Sequence, residues 1–120
     1  MLRRLVRSFG WALAGIGYAV RTQRNMKIHL AAAVLVSLVC LYLGLPPVEL
    51  AVVSVAVFMV LAAEMFNTAL EAAVDLFTPG SHPLAKAAKD LAAGAVLLTA
   101  LNALAVAYFL IWPRLIHLVR

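Results

Sequence analysis

Between Ala63 and Leu76 the sequence runs AEMFNTALEAAVDL, and four polar side chains stand in it: Glu64, Asn67, Glu71 and Asp75. Helical residues advance by about 100° each, which places Glu71 about −20°, Asp75 about +20° and Asn67 about −60° from Glu64. All four therefore share one helix face, while Phe66, Leu70 and Phe77 occupy the other. An ionised carboxylate in hydrocarbon costs at least about 2.5 kcal/mol on insertion scales. A stripe of three needs a cation, a metal ion or a water-filled cleft. Lys86, Lys89 and Asp90 follow just past the breaker Thr78-Pro79-Gly80-Ser81. Their spacings of three and four put them on one helical face, and a short return through Pro79-Gly80 can bring that face against the carboxylates. Acids, an amide and lysines together suit phosphoryl transfer from a nucleotide. Mg²⁺ takes oxygen ligands from one or two carboxylates and the phosphates. Lysine neutralises phosphate charge, and a further carboxylate accepts the proton of an attacking hydroxyl. The same acids could instead carry protons or cations in a small transporter, or pair with a partner in a structural membrane subunit. A lysine beside the acidic face favours phosphoryl transfer, since transport alone has no need of it.

The elements that must position these residues follow from composition. Of 120 residues 66% are hydrophobic and only 12% charged, with a mean hydropathy of +1.03. Soluble domains are closer to half apolar, so there is too little polar surface here to cover one. The chain is expected to be an all-α integral membrane protein with a single domain, 1–120. Three apolar runs can span: about 29–45, ended by Pro46-Pro47; 48–77, ended by Thr78-Pro79; and 91–112, closed by Pro113. About 20 helical residues cross a hydrocarbon core of about 30 Å. The +5 charge is spread beside the apolar runs, which fits membrane topology better than nucleic acid. Arg3, Arg4, Arg7, Arg21, Arg24 and Lys27 precede the first span, Lys86 and Lys89 lie between the second and third, and the first connection has no basic residue. The positive-inside rule then places the N-terminus and the 78–90 loop in the cytoplasm. Arg114 and Arg120 count against that orientation but are outnumbered.

The first 27 residues have a basic start and an apolar middle, as a signal peptide does. Leu2, Leu5, Val6, Phe9 and Leu13 also fall at helical spacing with Arg3, Arg4 and Arg7 largely off that stripe, which describes an amphipathic helix lying on an anionic leaflet. The surface helix is the favoured reading, because cleavage would discard much of the charge that sets topology. Cys40 stands alone in an apolar setting and reads as packing. His29 and His82 have no second ligand at metal spacing and read as interfacial polar residues. Thr99 and Asn102 read as interhelical hydrogen-bond partners in the third span.

EMFNTALEAAVDL resembles the signature of the prokaryotic diacylglycerol kinase family, Glu-x-x-Asn-[Ser/Thr]-Ala-[Ile/Leu]-Glu with Asp four residues on. HPLAKAAKDLAAGAVLL, from His82 to Leu98, resembles the segment that follows in that family. RNMKIHL resembles the form usual in its Gram-positive branch, which includes undecaprenol kinases. The resemblance covers nearly the whole chain. It implies a homotrimer of three-span subunits with an N-terminal surface helix, in a bacterial cytoplasmic membrane, whose sites lie between subunits and pass the γ-phosphate of ATP to a lipid hydroxyl with Mg²⁺. It further implies Glu64 as general base, Asn67 as an organising polar group and Glu71 as a metal ligand. Asp75 and Asp90 match acidic positions around the nucleotide, and Lys89 a lysine on phosphate. Where the family usually has a metal-binding glutamate, this chain has Gln23, whose carbonyl can ligate without charge. By family likeness alone the RNMKIHL and HPLAKAAKD forms favour undecaprenol over diacylglycerol.

Overall fold

The computed structural model describes residues 1–119 and is helical almost throughout. Its elements are α1 (Leu2–Thr22), α2 (Arg24–Tyr42), α3 (Pro47–Phe77), α4 (Pro83–Leu110) and α5 (Trp112–Val119). Among the described residues there is no strand. Helices α2, α3 and α4 are each long and apolar enough to cross a membrane, so the chain is a multi-pass membrane protein, as composition requires. Its smallest dimension is 21 Å, about two helix diameters. No helix is surrounded by others, and most apolar side chains face outward, as a bilayer permits.

Local chemistry explains most of the boundaries. Gly44 closes α2 at φ +63°, a left-handed turn that glycine adopts without strain, and the Leu45 N–H returns to the Cys40 carbonyl at 3.2 Å, as in glycine helix caps. Pro47 then opens α3 at its first position, where a missing N–H is harmless. Pro83 opens α4 in the same way, with His82 as its cap: the Leu84 N–H donates to His82 Nδ1 at 3.2 Å. Helix α4 thus begins eight residues before the apolar run at Leu91, because capping and not hydropathy sets a helix start.

Two further boundaries differ from the sequence expectation. The surface helix ends at Thr22 and the first spanning helix begins at Arg24, with only Gln23 extended between them (φ −101°, ψ 119°). No glycine or proline marks that break. Pro113 does not close the third span either. Helix α4 ends at Leu110, and Pro113 lies in the first turn of an unforeseen short helix, α5, where proline is tolerated.

The apolar core gathers where α2, α3, α4 and α5 meet. Cys40, Leu45, Val53 and Ile111 are buried there, ringed by Val36, Val57, Val106, Leu110 and Leu115. Cys40 is a packing residue, buried and free. An ion pair ties this end together. Arg114 Nη2 donates to Glu49 Oε1 at 3.1 Å, while Nη1 lies 2.8 Å from Oε2 and donates to the Leu110 carbonyl at 2.6 Å. The arginine that counted against the expected orientation is therefore neutralised by an acid on its own side. Both side chains are about two-thirds buried, so removing one strands a partly desolvated charge. Arg114→Met is expected to lower stability by about 1–3 kcal/mol, read as a fall in the thermal unfolding midpoint in detergent. Adding Glu49→Gln should recover part of that loss, and strict additivity of the two changes would show that the pair is not coupled.

Candidate functional site

The acidic stripe of α3 runs from a sealed interior to an open end. Glu64 is 2% exposed, Asn67 8% and Thr68 6%, Glu71 is half-buried and Asp75 exposed. Helices α1, α2 and α4 all pack on α3, and Ala19 and Met26 are the buried residues of α1 and at the start of α2. The opposite face of α3 is outward, with Phe66 and Phe77 largely exposed.

Within the buried part the hydrogen bonds are specific. Asn67 Nδ2 donates to Glu71 Oε1 at 3.0 Å, which orients the carboxylate one turn away. Thr68 Oγ1 donates to the Glu64 carbonyl at 2.9 Å, so its hydroxyl is satisfied within the helix. On this stripe two buried polar atoms have no hydrogen-bond partner among the described residues, Glu64 Oε2 and Asn67 Oδ1. Buried polar atoms are nearly always paired, and these two oxygens on one turn are acceptors that a proton donor or a cation can satisfy. All the groups here are hard oxygen donors. Among the described residues there is no cluster of three or more His, Cys, Asp or Glu able to hold a metal by itself. Mg²⁺ needs no such cage, since it binds through one or two carboxylates and keeps waters or phosphate oxygens. The donor set fits it.

The open end belongs to the turn between α3 and α4. Lys89 Nζ pairs with Asp75 Oδ1 across the two helices, and Lys86 pairs with Asp90 along α4. Asp75, Thr78, Ser81, His82, Lys86, Lys89 and Asp90 line a cleft of about 370 Å³. Thr78, Ser81 and His82 were not foreseen as cleft residues. Their only signal was membership of the turn that the lysines needed in order to return. The stripe's meeting with the lysines is thus partial: Asp75 reaches Lys89, while Glu64, Asn67 and Glu71 lie farther along α3. From Asp75 to Glu64 is about 16 Å of helix rise.

Gln23 sits at the break between α1 and α2, and its Nε2 donates to Thr22 Oγ1 at 3.4 Å. The fold brings α1 to α3, but no hydrogen bond joins Gln23 to Glu71 among the described residues. A second feature lies deeper. Between α2, α3 and α4 runs an apolar groove of about 280 Å³, walled by Ala33, Ala56, Val60, Ala103 and Ala107, with His29 on its rim. Val60 is one turn from Glu64, so the groove approaches the orphaned carboxylate.

Comparison with known proteins bears on this arrangement. Residues 10–111 match the family described as prokaryotic diacylglycerol kinase. A diacylglycerol kinase of Synechocystis is 45% identical over 115 residues, which cover 95% of this chain and 66% of that protein. An undecaprenol kinase of Bacillus subtilis is 42% identical over 119 residues, covering 95% of this chain and 93% of that protein. A diacylglycerol kinase of Escherichia coli is 25% identical over 111 residues, 92% of this chain and 91% of its own length.

Proposed function

The chain belongs to the prokaryotic diacylglycerol kinase family and is a lipid kinase, and from that premise we propose that it passes the γ-phosphate of ATP to the hydroxyl of undecaprenol. The observation that carries this reading is the single face of α3, which leads from the buried, unpartnered Glu64 carboxylate to the lysine-lined cleft. A base and a phosphate-binding region on one rigid helix suit in-line transfer, where positioning and charge neutralisation supply most of the catalysis.

In this mechanism the lipid hydroxyl reaches Glu64, which accepts its proton as the oxygen attacks the γ-phosphorus, while the bond from that phosphorus to the bridging oxygen breaks and the electron pair leaves on ADP. Asn67 holds Glu71 in place, as their hydrogen bond implies. Asp75 and Asp90 orient Lys89 and Lys86 at the mouth of the cleft, from which Lys89 meets phosphate. Glu71, with the Gln23 carbonyl, would hold Mg²⁺, which when bound neutralises the phosphate oxygens. The apolar groove beside Val60 has the chemistry to take hydrocarbon, so the reacting hydroxyl can sit at the base while its tail stays out of water.

The same reading includes a homotrimer with sites shared between subunits. It also places the N-terminus and the α3–α4 turn on the cytoplasmic side of a bacterial inner membrane, where ATP is available. Its support is the basic residues of α1, of the first turn of α2 and of the start of α4. The transporter alternative has no support among the relatives, which are kinases. Preference for undecaprenol is supported by the Bacillus relative, which this chain matches over 93% of its length.

The test is competition in one vesicle preparation holding undecaprenol and diacylglycerol in equal amounts, with labelled ATP and Mg²⁺. Undecaprenyl phosphate should carry most of the label. A preference for diacylglycerol would overturn the substrate, and label in neither lipid product would overturn the reaction.

A further inference from the structure

Glu64 is sealed with its Oε2 unpartnered among the described residues, and its polar neighbours on α3 turn their donors elsewhere. The Thr68 hydroxyl donates to the Glu64 carbonyl at 2.9 Å, and the Asn67 amide to Glu71 Oε1 at 3.0 Å. The remaining source of a donor is a helix packed against α3.

Helices α2 and α3 run antiparallel through a short turn, and their contact has a regular register. Cys40 and Val53 are buried in one cluster, and Val36 and Val57 pack against it. Ala33 and Val60 face the same apolar groove. Each step of four or three toward the start of α2 is thus matched by an equal step toward the end of α3, the seam pattern of two packed helices. The next step of four on both helices brings His29 level with Glu64. His29 is half-buried. Among the described residues that wall the groove, it alone carries a polar side chain. His29 and Glu71 are the ionisable groups that act on the Glu64 carboxylate through space. Of these two, an ionised Glu71 can only accept, whereas an imidazole has an N–H to give.

We propose that His29 is a positioning residue for Glu64: its imidazole N–H donates to Oε2 and leaves Oε1 to take the proton of the lipid hydroxyl. The described residues show no hydrogen bond between the two side chains as they stand, and rotation to another staggered position can close it. The imidazole keeps its own proton throughout, so the proton passed to the base stays on Glu64. A hydrogen bond to a carboxylate is charge-assisted, and it offsets part of the cost of holding that charge in an apolar setting. The hydrogen bond is a property of the fold; only its role in turnover rests on the kinase reading above.

Two measurements on the full chain in vesicles test this. The first is solid-state NMR of the imidazole N–H groups, with the His29 signal identified by its loss in His29→Leu. Its proton should lie downfield of those of the other two histidines and move upfield in Glu64→Gln, where the acceptor is no longer charged. A His29 signal that does not respond to Glu64→Gln would overturn the hydrogen bond, whatever the chain phosphorylates. The second measurement is turnover. His29→Leu should lower kcat by about ten- to a hundredfold, since an ångström of misplacement can cost about 10²-fold, while KM for ATP and for lipid stays within a few-fold. His29→Gln, whose amide can donate, should recover most of the loss. In a Glu64→Gln background His29→Leu should cost nothing further, because the group it positions is already gone. An equal loss in both backgrounds, no recovery in His29→Gln, or full turnover in His29→Leu would overturn the positioning role. A His29 signal that depends on Glu64, in a protein that phosphorylates no lipid, would overturn the kinase reading and the role with it, and leave the hydrogen bond standing.

Discussion

Glu64→Gln is expected to lower the turnover of lipid phosphorylation by about 10²–10⁴-fold, the usual consequence of losing a general base. The substitution keeps side-chain shape and hydrogen-bonding reach but cannot accept a proton as a carboxylate does. The structure adds a second expectation. Glu64 is nearly inaccessible, and its Oε2 has no partner. Making the group permanently neutral removes the cost of keeping a charge in an apolar interior. The variant should therefore be at least as stable to heat as the parent while being almost inactive. That opposition separates a base from a structural acid, whose loss would lower stability and activity together. Nucleotide binding should persist, because the lysine-lined cleft is farther along α3. Turnover within a few-fold of the parent would remove Glu64 from the role.

Glu71→Gln is expected to raise the Mg²⁺ concentration for half-maximal activity by about tenfold or more, judged from the 10–100-fold that even outer-shell changes cost metal sites. Asn67 Nδ2 now donates to Glu71 Oε1, and a glutamine carbonyl can still accept that bond. The change thus isolates charge from geometry. Gln23→Glu should act in the opposite direction, lowering the Mg²⁺ requirement by restoring an anionic ligand near the α1–α2 break. If both residues serve one ion the effects will be non-additive in the double variant. A Mg²⁺ titration of all four proteins decides this. Should Gln23→Glu leave the Mg²⁺ dependence unchanged, residue 23 is not at the metal, and α1 does not lie over the site as proposed.

Much of the site was legible because it lies on one helix. Helical periodicity alone puts Glu64, Asn67, Glu71 and Asp75 on one face, and the structure keeps them there along α3. The Lys86–Asp90 pair follows from the same arithmetic. What periodicity cannot give is the gradient along the stripe. Glu64 and Asn67 are sealed while Asp75 is open, a difference set by the helices packed against α3 and not by spacing along it. The Asp75–Lys89 pair depends on where the turn returns the chain, as does the cleft formed with Thr78, Ser81 and His82.

Fold class and membrane location were determined by the sequence itself. A bilayer admits only helices and closed barrels, and continuous apolar runs of about 20 residues select helices and count the spans. The signals of Gly44-Leu45-Pro46-Pro47 and Pro79-Gly80 are equally local: a left-handed turn, a missing N–H and a fixed φ act within a few residues. Other features were decided only in three dimensions. The break at Gln23 has no local breaker, and it lies where α1 must leave the line of α2 to pack on α3. The pairing of Arg114 with Glu49 joins residues far apart in sequence, and no pattern along the chain records it. The physical division is one of range: dihedral preference and hydropathy act between neighbours, whereas burial, and with it the chemistry of Glu64, depends on which helices arrive from elsewhere.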